Sequence, residues 1–100
     1  MHEITATIGL YVNMEKRTWS KASVREHIAN LFPAVSIHWG EGVWKRQWEE
    51  NVTISVGSAD LAGIEDARKS LIDLGRTLKQ DAIYIHGEGV VYMLIFPWEE

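Results

Sequence analysis

The 100-residue sequence has no cysteine, which excludes disulfides, thiol nucleophiles and cysteine-ligated zinc, and fits a reducing cytoplasm. It has no excess of positive charge. Ten Lys and Arg stand against 14 Asp and Glu, a formal net charge of −4, so the basic footprint of a general nucleic-acid binder is missing. No apolar run approaches the roughly 20 residues of a membrane-crossing helix. The opening MHEITATIGLYV has no basic n-region ahead of its apolar stretch, so no signal peptide is expected. Gly-x-Gly-x-x-Gly, the P-loop pattern and Gly-x-Ser-x-Gly are all absent, and no His-x-His or His-x₃-His spacing offers a metal site. No cofactor or metal is expected.

What remains is a globular composition, 46% hydrophobic and 24% charged, in a length that suits one domain. EITATIGLYVN alternates: Ile4, Ala6, Ile8, Leu10 and Val12 point one way, Thr5, Thr7, Gly9 and Tyr11 the other, as in a half-buried strand. After the polar connection MEKRTW, SKASVREHIANLFP reads as a helix. Ser20 or Ser23 caps it, Val24, Ile28 and Leu31 form its stripe, and Pro33 ends it. AVSIHW is a second strand, with Gly40-Glu41-Gly42 as its tight turn, and Val52, Ile54 and Val56 lie on a long return strand. A second helix follows, capped by Ser58 or Asp60, with Leu61, Ile64, Ala67, Leu71, Leu74 and Leu78 on its buried stripe. DAIYIH, a second Gly-Glu-Gly at 87–89 and VVYMLIF then form another hairpin.

This order predicts a single α+β domain over residues 1–100. The plan is a ferredoxin-like β-α-β-β-α-β with an extra C-terminal hairpin strand, its antiparallel sheet carrying two helices on one face. Ile8, Ile28, Ile37, Ile54, Leu71 and Leu78 are expected in one core. The opposite sheet face then carries Thr5, Thr7, Tyr11, Ser36, His38, Thr53 and Ser55, joined by some of Tyr84, His86 and Tyr92. It is too polar for a core and too aromatic for an indifferent surface, which makes it a candidate ligand floor or interface.

ATIGLYVN, a tryptophan just before the first helix, and LFPAVSIHWGEGVWK resemble a group of small uncharacterised bacterial and phage proteins over roughly the first half of the chain. That resemblance implies the same fold and no particular reaction. Size, acidity and lack of cysteine are also similar to small phage early proteins, many of which disarm host defences.

Trp39, Trp44 and Trp48 crowd the first hairpin. If the return strand runs unbroken through VWKRQWEENVTISV, Trp44 and Trp48 share the parity of Val52, Ile54 and Val56. They then either extend the core or project as a stacking platform. Lys45, Arg46 or Arg17 offer charge to phosphate or carboxylate, unless Glu49 and Glu50 pair with the two hairpin cations. Glu49 and Glu50 themselves, as strand neighbours, point to opposite faces and do not form an acid–base pair. His38 and His86 read as hydrogen-bonding side chains on the open face. Tyr11, Tyr84 and Tyr92 invite base stacking, but the basic-aromatic signature of RNA-recognition modules is missing.

No catalytic constellation emerges. The expected function is a non-enzymatic, phage-type binding protein of the host cytoplasm. It would act by occupancy, sequestering a small anionic, nucleotide-like ligand or capping a host defence protein. Five tryptophans, one of them Trp98 in a short tail, and the polar-aromatic sheet face predict a homo-oligomer. The alternative is a small dimeric ferredoxin-like enzyme with His38 or His86 as general base.

Overall fold

The computed structural model describes residues 2–87 and 90–95, the last six as backbone. In chain order the elements are β1 (His2–Gly9), β2 (Tyr11–Val12), β3 (Arg17–Thr18), α1 (Lys21–Leu31), β4 (Ser36–Trp44), β5 (Gln47–Ser58), α2 (Leu61–Thr77), β6 (Ile83–Gly87) and β7 (Val90–Ile95). Five of these strands form one sheet in the order β4-β5-β1-β6-β7, every pair antiparallel. The two βα units thus interleave at the centre of the sheet, as in the ferredoxin-like plan, and β7 extends it beyond β6.

Alternation decides which face is buried. Ile4, Ala6 and Ile8 on β1 stand opposite Val56, Ile54 and Val52 on β5, and all six are buried. Val24 and Ile28 of α1 and Ile64, Leu71 and Leu74 of α2 close over them in a single core that also takes Leu78. Of the six residues expected together, five are buried and Ile37 packs against them partly buried. Two stripe positions differ. Leu31 is 38% exposed because the chain turns extended at Phe32, whose ring is buried in its place. Leu61 is 60% exposed because burial on α2 begins only at Ile64.

The helix ends are set by side chains. The Ser20 hydroxyl accepts from the Ser23 N–H, and the Asp60 carboxylate accepts from the Gly63 N–H at 2.8 Å. At the other end of α2, Lys79 takes a left-handed conformation, and the Gln80 N–H bonds back to the Gly75 carbonyl at 3.0 Å. The connection MEKRTW is itself ordered: β2 and β3 pair as a short hairpin beside the main sheet.

The first long hairpin does not turn at Gly40-Glu41-Gly42. β4 runs straight through those residues to Trp44, which pairs with Gln47. The turn is Lys45-Arg46, both at positive φ (50° and 65°), the pattern of a type I′ turn. This reverses the expected parity of Trp44. It lies on the open face of β4, whereas Trp48 on β5 keeps the parity of Val52. Two non-glycine residues in left-handed backbone are costly, so Arg46→Gly is expected to stabilise the fold by about 0.5–1 kcal/mol. Thermal melting would read this as a midpoint a few degrees higher; a lower midpoint would contradict the turn assignment.

Candidate functional site

Across the open face the strand register forms two polar rungs, His38–Thr53–Thr7–Tyr84 and Ser36–Ser55–Thr5–His86. The hydroxyls of Thr7 and Thr53 lie 3.1 Å apart, and those of Thr5 and Ser55 3.2 Å apart, so they satisfy one another. Toward the Lys45-Arg46 turn the face changes character. Gly9 on β1 and Gly40 and Gly42 on β4 hold the open-face positions there, and a glycine inside a strand often marks a close approach.

Over Gly9 and Gly42 opens a cleft of about 1080 Å³. Its floor is Thr7, Gly9, Gly42, Glu49 and Asn51, and Trp44, Tyr11 and Tyr84 supply aromatic walls. The β2–β3 hairpin and the loop from α2 to β6 form its rim.

Two side chains of β5 lean in opposite directions across this floor. Glu49 pairs with Gly42 in the register but lays its carboxylate over Gly9. A Cβ added at Gly9 would stand 2.3 Å from Oε1 and 2.7 Å from Cδ. Asn51 pairs with Gly9 but lays its carboxamide over β4, with Oδ1 3.1 Å from where a Gly40 Cβ would stand and Nδ2 3.0 Å from that of Gly42. The floor therefore offers an acidic acceptor on one side of β5 and an amide donor on the other.

The electrostatics are unequal around the cleft. Burial pushes the Glu49 carboxyl above its ordinary value; the backbone N–H of Tyr11 donates to it and opposes that shift, and the nearby Asp81 charge adds to it. Among the described residues no lysine or arginine forms an ion pair with Glu49. The rim charges are engaged in ion pairs. Lys45 Nζ reaches Asp81 at 3.3 Å, linking the turn to the α2–β6 loop. Glu15 is bonded by Lys79 and by Arg17, which together hold it below its usual carboxylate value. The Arg17 guanidinium also stacks 4.1 Å from the centre of the Trp19 ring, whose Nε1 donates to the Leu78 carbonyl at 2.9 Å. Buried Gln80 donates to the carbonyls of Leu78 and Tyr11, tying the rim to the end of α2.

Of the residues singled out in the sequence, Tyr11, Trp44, Lys45 and Tyr84 line this cleft. Arg46 occupies the adjacent turn, and Arg17 is engaged at the rim. His38 and His86 lie on the polar rungs outside the cleft lining. Trp39 is on the helix side, partly buried against the core with Lys21 Nζ 5.5 Å from its ring centre. Trp48 shares that face but stands 71% exposed, opposite the 57% exposed Val43. The side chain of Tyr92, the turn at 88–89 and Trp98 lie outside the described residues. Sequence reasoning missed Glu49, Asn51 and the glycines beneath them. Their signal was there: on β5 the open-face parity reads Glu49, Asn51, Thr53, Ser55, and it runs alongside strand glycines.

Comparison with known proteins gives no match to any family profile and none to a curated protein sequence. Solved structures do match. A phage SAM lyase in complex with S-methyl-5′-thioadenosine superposes with a TM-score of 0.69 at 21% identity, covering 95% of this chain and 88% of that one. A phage SAM lyase in the apo state gives a TM-score of 0.70 at 22% identity with the same coverage. The likeness shows the fold. Among the described residues no helix is long and apolar enough to cross a membrane, and no group of three or more His, Asp or Glu side chains is placed to hold a metal ion.

Proposed function

We propose that this chain is an enzyme that cleaves S-adenosylmethionine (SAM) in the open-face cleft, leaving S-methyl-5′-thioadenosine. The observation that carries this reading is the near-complete superposition on phage SAM lyases, including one that holds that thioether. It corrects the expectation of a non-enzymatic protein acting by occupancy, because both of these solved structures, matched over 95% of the chain, are of a lyase. It also favours the alternative of a small enzyme, but not with a histidine as base: His38 and His86 do not line the cleft.

The chemistry explains why no catalytic motif is visible. SAM carries its own leaving group, the sulfonium, and its own nucleophile, the carboxylate. In a lyase reaction the bond from sulfur to the aminobutyrate Cγ breaks and its electron pair passes to sulfur. A carboxylate oxygen of the same molecule bonds to Cγ and closes a five-membered lactone. No water is added and no proton moves. The protein has only to bind the substrate folded and dry.

The cleft suits such a ligand better than an anionic one. The rim cations are engaged by Asp81 and Glu15, while Glu49 is left to receive a cation. Of the two cations on SAM, the ammonium is the better partner for Glu49. Its charge persists through the reaction, whereas a carboxylate at the sulfonium would stabilise a charge that the transition state is losing. Trp44, Tyr11 and Tyr84 provide stacking surface for the adenine.

A phage origin and action in the host cytoplasm accompany this reading, since destroying SAM withholds the host's methyl donor and fits a counter-defence role. The expected self-association stays with it as a proposal, supported by the uncovered Trp48 and Val43 beyond the helices. Chromatography and mass spectrometry of a SAM incubation test the chemistry. Methylthioadenosine with homoserine lactone is the expected pair. Adenosylhomocysteine, or no change in SAM, would contradict it.

A further inference from the structure

We infer that Gly9 is a positioning residue of this site: by lacking a side chain it lets the Glu49 carboxylate lie flat on the cleft floor, where the substrate ammonium meets it. The inference rests on the proposed reading for the identity of the cation, but its geometry is independent of that reading. A Cβ at Gly9 would come within 3 Å of three Glu49 atoms, Oε1, Cδ and Oε2 at 2.3, 2.7 and 2.9 Å, and no other neighbour is as close. The backbone itself does not ask for glycine here. Gly9 ends β1 in regular pairing with Asn51 and does not have the positive φ found at Gly87. A glycine in a strand sacrifices order and packing for nothing unless something needs the space. The group that needs it is the carboxylate.

The surroundings fix where Glu49 goes without that space. The N–H of Tyr11 on β2 holds the carboxylate from one side. Asp81 from the α2–β6 loop repels it while bonded to Lys45, and Glu15 at the rim is bonded to Lys79 and Arg17. Tyr84 of β6 and Asn51 and Gln47 of β5 complete the lining. An alanine at position 9 would displace the end of a flexible side chain toward solvent, so the fold should tolerate it while the site should not. Because the carboxyl is pushed up by burial, the folded state of the native protein binds more protons than the unfolded one just above the ordinary carboxylate range. Its stability should therefore fall as pH rises through that window.

The test is a double-mutant cycle of Gly9→Ala and Glu49→Gln on the full chain, read by SAM turnover and by melting temperature against pH. Gly9→Ala is expected to lower kcat/KM for SAM about tenfold while melting within about 4 °C of the native protein or above it. In the Glu49→Gln background the same change should cost nothing further, and both single variants should lose the fall in melting temperature with rising pH. Full additivity of the two changes, an unaltered pH dependence in Gly9→Ala, or failure of Gly9→Ala to fold would each overturn the inference. Absence of turnover in the native protein would refute the SAM reading alone, since the melting cycle still decides whether Gly9 acts through Glu49.

Discussion

Glu49→Gln should lower kcat/KM for SAM by roughly 30- to 150-fold, the loss of about 2–3 kcal/mol for a hydrogen bond between charged groups. The effect should fall on KM more than on kcat. An ammonium held by Glu49 carries its charge unchanged from bound substrate to transition state, so removing its partner weakens both equally. Stability should move the other way. Glu49 is a partly buried carboxylate with burial and Asp81 raising its pKa and only the Tyr11 N–H opposing them. Glutamine keeps an acceptor for that N–H and removes the charge, so the variant should melt at or above the native temperature near neutral pH. In the native protein, turnover should rise with pH as Glu49 loses its proton above the ordinary carboxylate range. A loss confined to kcat with KM unchanged would instead make Glu49 a base in an elimination.

Gly87→Ala is expected to destabilise the fold by about 3 kcal/mol or more, which a urea midpoint would read directly. Gly87 has φ +147°, and a Cβ there would stand 2.5 Å from the Glu3 carbonyl oxygen and 2.9 Å from the Ile4 Cα. Both obstacles are backbone of β1, the central strand, and neither can yield without parting the Ile4–Gly87 pair. The contrast with Gly9 is instructive: there the obstacle is the free end of a side chain, so alanine should spare the fold and harm the site. A Gly87→Ala variant within about 1 kcal/mol of the native protein would contradict the register of β6 on β1.

Local periodicity made most of the fold legible. Period-2 alternation in EITATIGLYV and VTISV marks β1 and β5, and Ser20, Asp60 and Pro33 mark where helices begin and end. The first Gly-Glu-Gly misled because one spelling serves two purposes. At 40–42 the glycines clear room for the Asn51 amide in mid-strand. At Gly87 the backbone conformation itself requires glycine. The real turn at Lys45-Arg46 was hidden, since neither residue favours positive φ, and that displaced turn put Trp44 on the wrong face.

The site was less legible than the fold. Glu49 was recognised as pointing away from Glu50, but that it lies over Gly9 depends on the pairing of β1 with β5, distant in sequence. Trp44 and Tyr11 were singled out as aromatics, yet only the β2–β3 hairpin and the α2–β6 loop turn the open face into a cleft around them. On the proposed reading no motif is expected, because a substrate that brings its own nucleophile and leaving group asks the protein for shape and one well-placed charge.

A turnover count with SAM in large excess over purified protein bears most directly on whether the cleft catalyses or merely holds its ligand. Methylthioadenosine should accumulate far beyond one equivalent per chain, in step with the disappearance of SAM. Retention of a single equivalent of intact SAM, with no thioether released, would contradict catalysis.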